Sequence, residues 1–152
     1  MAKLSSEDQE LKSSFEINLK DRINDEWLNY EIVFKVGEEI YKFKSIEDNV
    51  VGQFVFALKP KDRLEMFIQY LEKFIVNPEQ KELIFEPADP SFELILKRAH
   101  GGIQAYLWVD NGNTTQLRYT WDARGLRFLT NEIKLKSFLA ELKKESQTKV
   151  SS

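Results

Sequence analysis

The hydrophobic patterning of the chain predicts an α+β fold, an antiparallel β-sheet made of a hairpin and a meander and packed with two amphipathic helices. Three observations carry this expectation. Residues 83–121 alternate apolar and polar side chains through several runs, each cut by a turn signal at residues 87–90, 100–102 and 111–113. Such a period of two, interrupted in this way, is the mark of a β-meander. Residues 30–36 and 40–46 repeat the alternation on either side of Gly37-Glu38. Residues 60–76 and 131–145 instead space their apolar side chains three and four apart, as one stripe of a helix requires.

A length of 152 residues fits one domain with a single core, large enough to be stable without cross-links. The folded part is expected over about residues 15–145. Residues 1–14 hold four serines and five charges and read as a mobile leader, and residues 146–152 as a fraying polar tail. Cysteine is absent, so disulfide and thiolate chemistry are not available. No run has the apolar character of a signal peptide or the length of a membrane span, which leaves a cytoplasmic protein as the expectation, with no membrane partner. A net charge of −3 weighs against nucleic-acid binding, which needs a clustered positive field.

Taken in order, Phe15, Ile17 and Leu19 alternate with polar residues as in a half-buried strand. Gly37-Glu38 suits a type II′ hairpin turn, which pairs Phe34 with Tyr41 and Ile32 with Phe43 on one face and sets Glu31 opposite Lys44 on the other. Residues 50–57 read as a further strand. The first helix opens at Pro60 with Asp62 in its first turn, carries Leu64, Phe67, Ile68, Leu71, Phe74 and Ile75 as its stripe, and stops at Asn77-Pro78. In the meander, residues 92–97 and 103–109 pair around His100-Gly101, so Phe92, Leu94 and Leu96 share a face with Ala105, Leu107 and Val109.

The next hairpin has two registers. A two-residue Asn111-Gly112 turn sets Leu107 against polar residues, whereas a three-residue loop through Asn113 aligns Leu107 with Leu117, Ala105 with Tyr119 and Ile103 with Trp121. Only the second joins two apolar faces, because one residue of slip exchanges the faces. The opposite face then presents Glu93, Ile95, Lys97, Gln104, Tyr106, Trp108, Gln116, Arg118 and Thr120. Residues 122–129 read as an irregular connection around Gly125. Thr130 or Asn131 caps a last helix with Leu135, Phe138, Leu139 and Leu142 as its stripe and Lys143 and Lys144 in its last turn.

Catalytic motifs are lacking. The single histidine, His100, falls in a turn, which leaves too few parts for a Ser-His-Asp triad or a multi-histidine metal site. Gly101-Gly102 precedes a strand rather than a helix N-terminus and so cradles no phosphate. No cofactor, metal site or enzymatic activity is expected. Tyr106, Trp108 and Arg118 have the composition of interface anchors, and Glu38, Glu39, Glu47 and Asp48 gather acidic charge at the ends of the first hairpin.

Four segments carry a resemblance: W-L-N-Y-E-I-V-F at Trp27 to Phe34, L-E-M-F-I-Q-Y-L at Leu64 to Leu71, F-E-P-x-x-x-S-F-E-L at Phe85 to Leu94, and F-L-T at Phe128 to Thr130 leading into the last helix. In this order, over about residues 15–145, the chain resembles the WapI family of bacterial immunity proteins. That resemblance implies a non-catalytic cytoplasmic protein that binds and neutralises a cognate toxin domain. Tyr106, Trp108 and Arg118 would then anchor the toxin, while the four acidic residues steer a basic partner. The alternative is a small-ligand or regulatory binding domain with an aromatic pocket between sheet and helices.

Overall fold

The computed structural model describes residues 1–23, 27–43, 52–55, 63–86, 92–110 and 123–150. Among the described residues, nine strands and two helices follow in the order β1 (Ala2–Ser5), β2 (Ser14–Ile23), β3 (Trp27–Val36), β4 (Glu39–Phe43), β5 (Gly52–Val55), α1 (Arg63–Val76), β6 (Glu82–Phe85), β7 (Phe92–Ala99), β8 (Gly102–Asp110), β9 (Ala123–Thr130) and α2 (Glu132–Val150). This is an α+β architecture of two antiparallel sheets. The first has the order β1-β2-β3-β4, with β5 sharing the edge of β3 that β4 occupies further along; the second is the meander β6-β7-β8-β9.

The first hairpin has the register that the sequence predicts, with Phe34 opposite Tyr41 and Ile32 opposite Phe43. Its two-residue loop places Gly37 at φ 62°, and only this first loop position needs the left-handed region. Lys44, expected opposite Glu31, lies outside the described residues. The turn between β7 and β8 also has the expected two residues, and here His100 and Gly101 both take positive φ, 54° and 74°. Two left-handed residues in succession are the mark of a type I′ turn.

Three expectations are corrected. Residues 1–14 are not a leader without structure: Ala2–Ser5 pairs antiparallel with β2, and Ala2 and Leu4 are fully buried. The last helix does not end near residue 145 but runs to Val150, so Lys143 and Lys144 lie inside it, and Lys143 forms an ion pair at 2.9 Å with Glu72 of α1. No glycine or proline interrupts that tail, so nothing stops the helix. The strand beside β8 is Ala123–Thr130, in place of the expected segment through Leu117, Tyr119 and Trp121, so the stretch expected as an irregular connection, residues 122–129, instead supplies that strand. Residues 111–122, with Arg118 and the expected partners Leu117, Tyr119 and Trp121, lie outside the described residues, as do Pro60 and Asp62.

One cluster of buried side chains draws on both sheets and both helices. At its centre is Phe92, the first residue of β7. Its ring lies 6.3 Å from Phe15 of β2, 5.6 Å edge-on from Tyr30 of β3, 5.9 Å from Phe67 of α1 and 6.0 Å from Phe85 of β6. Phe67 stacks on Phe85 at 4.4 Å, and Phe138 of α2 reaches both Phe15 and Phe67. The helix stripes meet this cluster as their spacing requires, with Leu64, Phe67, Leu71, Phe74, Leu135, Phe138 and Leu142 buried.

Polar groups fix the helix ends. Asn131 caps α2, its Oδ1 accepting the Lys134 N–H at 2.9 Å, while the other candidate, Thr130, donates its hydroxyl to the Ser5 carbonyl at 2.7 Å and so ties β9 to β1. At the other end of α1, the Arg98 guanidinium donates to the Phe74 carbonyl and, at 3.0 Å, to that of Gln80, and it lies 4.2 Å from the Phe74 ring centroid. A cation at a helix C-terminus offsets the negative end of its dipole. Glu145 of α2 accepts the Leu19 N–H at 2.7 Å and pairs with the Met1 amino group at 2.7 Å, which holds the helix to β1 and β2.

Two carboxylates on the outward side of the first sheet are paired across strands. Glu16 pairs with Lys35 at 2.8 Å, and Glu31 takes Lys20 at 3.2 Å and the Asn18 amide at 2.9 Å. Burial works to raise the Glu31 pKa, but the hydrogen bonds from Asn18 and Lys20 and the charges of Lys20 and Lys42 outweigh it and hold the carboxyl below its ordinary 4.5. A carboxylate depressed in this way stabilises the fold above pH 4.5, and that contribution is lost as pH falls through its lower folded value. Glu31→Gln therefore flattens the acid limb of a plot of stability against pH, measured by urea unfolding; an acid limb identical to that of the wild type would refute this. Phe92→Ala, which opens a cavity against four elements, is expected to cost about 3–5 kcal/mol in the same assay.

Candidate functional site

The site begins with the parity of β7 and β8. Leu94, Leu96, Ala105 and Leu107 point into the core, so Glu93, Ile95, Lys97, Gln104, Tyr106 and Trp108 must point away from it. Cross-strand pairing extends this outward face over four strands. One row runs Glu82, Lys97, Gln104, Leu129; a second runs Ile84, Ile95, Tyr106, Arg127; a third runs Glu93, Trp108, Gly125. Trp108 is 43% exposed, Ile84 53% and Leu129 37%, so large apolar side chains on this face remain open to solvent.

Trp108 owes its position to Gly125, its direct cross-strand partner. A Cβ at Gly125 would lie 2.4 Å from Cζ3 and 2.5 Å from Cε3 of the indole. The ring therefore rests on the bare backbone of β9, where no side chain fits beneath it. A glycine within a strand pattern marks this kind of close approach. Beside it, Tyr106 donates its hydroxyl to Gln104 Oε1 at 3.0 Å, and the Lys97 ammonium stands 5.5 Å from the Tyr106 ring centroid. Tyr106, Trp108, Gly125, Leu126 and Arg127 together line a shallow hollow of about 300 Å3. The hollow is on the outward face; the space between sheet and helices, where the alternative reading puts a ligand pocket, is occupied by the phenylalanine cluster.

Among the residues singled out in the sequence, Tyr106 and Trp108 are brought together on this face. The cation opposite Tyr106 is Arg127, in the place expected for Arg118. The signal for it was present: Leu126-Arg127-Phe128 repeats the Leu117-Arg118-Tyr119 pattern nine residues later. Glu38 and Glu39 are exposed at the turn between β3 and β4, whereas Glu47 and Asp48 lie outside the described residues. Glu39 accepts the Tyr41 hydroxyl at 2.6 Å, and this hydrogen bond, with the Glu39 charge, holds the Tyr41 phenol above its ordinary 10 against the opposing charge of Arg124 at the start of β9. Among the described residues, no three His, Cys, Asp or Glu side chains gather as a metal site. No described helix is long and apolar enough to cross a membrane.

Gly125→Ala tests the seat of Trp108. The added methyl must displace the indole at an expected cost of about 1–3 kcal/mol, and the Trp108 indole N–H resonance, assigned by its loss in Trp108→Phe, should move. An unmoved resonance would mean that the ring does not rest on Gly125. Comparison of the chain with protein-family profiles, with curated proteins and with solved structures finds no match.

Proposed function

We propose that this protein is a non-catalytic, cytoplasmic binding protein of the immunity type, which neutralises a toxin domain by covering it with the outward face of the meander. The observation that carries this reading is Trp108 lying exposed on Gly125, beside Tyr106 and Arg127 on a rigid sheet. Tryptophan, tyrosine and arginine dominate binding hot spots because each offers a large contact area at a small entropic cost. Strands on a packed core present these anchors already ordered, which lowers the cost of association.

Charge argues for a basic partner. On the described face Glu82 and Glu93 are balanced by Lys97 and Arg127, so the preference for a basic partner rests on Glu38 and Glu39, exposed at the first hairpin, and on a net charge of −3. Exposed acidic groups of this kind mainly raise the association rate and fix orientation, while the aromatic anchors govern dissociation. The partner that fits is a basic protein domain whose active cleft is closed by the sheet.

The decisive assay is growth rescue. Where a large protein is encoded beside this gene, its C-terminal domain is expressed with and without this chain. Toxicity relieved by co-expression supports the proposal; toxicity that persists, or a neighbour that is not toxic, removes it. Given a toxic partner, Trp108→Ala and Arg127→Ala should each weaken binding by about 30-fold or more, the loss expected of a hot-spot residue, at unchanged thermal stability. Glu38→Lys should instead slow association and reduce its dependence on salt, as measured by stopped flow.

A further inference from the structure

A second concavity, of about 260 Å3, lies at the turn that joins β1 to β2, against the first turn of α2. Lys3 enters it from β1, Lys12 from the turn and Lys134 from α2. Among the described residues none of these ammonium groups has an acidic partner. Three unpaired cations converge here in a chain whose net charge is −3.

The wall between them is made of serines. Ser14, 1% exposed, lines the pocket, and its hydroxyl has no hydrogen-bond partner among the described residues. A buried hydroxyl without a partner is uncommon because it forfeits its hydration for nothing, and such a group calls for an explanation. The neighbouring Ser6 shows the ordinary arrangement, its Oγ accepting the Asp8 N–H at 2.9 Å. Asp8 is the acidic residue of the lining, and its Oδ1 is committed to the loop, accepting the N–H groups of Glu10 and Leu11 at 2.9 and 3.0 Å. The lining thus keeps an excess of positive charge. The N-terminus of α2 adds the positive end of its dipole, since Lys134 is the third residue of that helix.

We propose that this pocket binds a small phosphate monoester, with Lys3, Lys12 and Lys134 neutralising its charge and the Ser14 hydroxyl donating to one of its oxygens. Lysine serves phosphate as a mobile point charge, which suits three side chains arriving from separate elements. The volume is slightly below the roughly 300–1,000 Å3 of ordinary ligand pockets, which fits a phosphate carried on a compact sugar better than a full nucleotide. The site is separate from the aromatic face and does not rest on the toxin-binding reading.

The test is an NMR titration of the full chain at low ionic strength with inorganic phosphate and, separately, with ribose 5-phosphate. Saturable shifts confined to residues 3–14 and 132–135 are expected. Equal affinity for the two probes assigns the phosphate group alone as the ligand, and tighter binding of the sugar phosphate assigns the monoester. The double substitution Lys3→Ala with Lys134→Ala should weaken binding about tenfold or more, as the loss of two charge-assisted contacts implies. Ser14→Ala separates a binding role from a structural one: it should leave the melting temperature of the free protein unchanged or higher while it weakens the ligand. Absence of saturation with both probes by about 10 mM, or affinity that all these substitutions leave intact, overturns the proposal.

Discussion

The position of Phe92 constrains the rest of the molecule. Its ring meets Phe15, Tyr30, Phe67 and Phe85, which places four elements from both sheets and the first helix around one side chain. Aromatic rings bury large areas and prefer edge-on or offset contacts, so such a cluster fixes orientation as well as distance. A slip of β7 by one residue would bring Glu93 to this point, and the core would have to accept an unpaired carboxylate. The register of β7 is therefore set by the core. Once it is set, the outward direction of Ile95, Tyr106 and Trp108 follows from the alternation of strands. The candidate binding face is in this sense a consequence of the packing on the other side of the same sheet.

This dependence explains which parts of the fold the sequence discloses. The first hairpin and the β7–β8 pair were legible to the residue because Gly37-Glu38 and His100-Gly101 are two-residue turns, and short turns leave one register that buries a single face. The helix stripes were legible for a similar reason, since each residue of the pattern Leu64, Phe67, Leu71 meets the core. The last strand was not. Residues 117–119 and 126–128 both read leucine, arginine, aromatic, and each would continue the apolar face with the same parity. No local feature separates them. Gly125 reads locally as a break, whereas it is where the strand must be bare to seat Trp108. On this face Arg127 stands opposite Tyr106, the place where the sequence pattern puts Arg118.

β1 escaped notice for a different reason. Two apolar residues in Ala2–Ser5 are too few to establish a period, and serines and charges surround them. Their burial depends on contacts remote in sequence: the Glu145 carboxylate beside Leu19 and Met1, and the Thr130 hydroxyl on the Ser5 carbonyl. A strand of four residues held by a helix more than a hundred positions away has no local signature. The same contacts carry Lys3 and Ser5 to the corner where Lys134 stands in the first turn of α2, so the pocket there was hidden for the same cause.

The two outward faces differ in how far they satisfy themselves. On the first sheet, the buried Glu16 is held by Lys35, and Glu31 by Lys20 and Asn18, so both of these carboxylates are already paired across strands. On the second, Trp108 rests on a glycine and Arg127 has no ion pair among the described residues. A face whose charges are paired must break those contacts before it can make new ones, and gains little on binding. A face that leaves an indole and a guanidinium open gains from each group a partner covers. That difference, more than exposure itself, is what supports the proposal that the meander is the binding face.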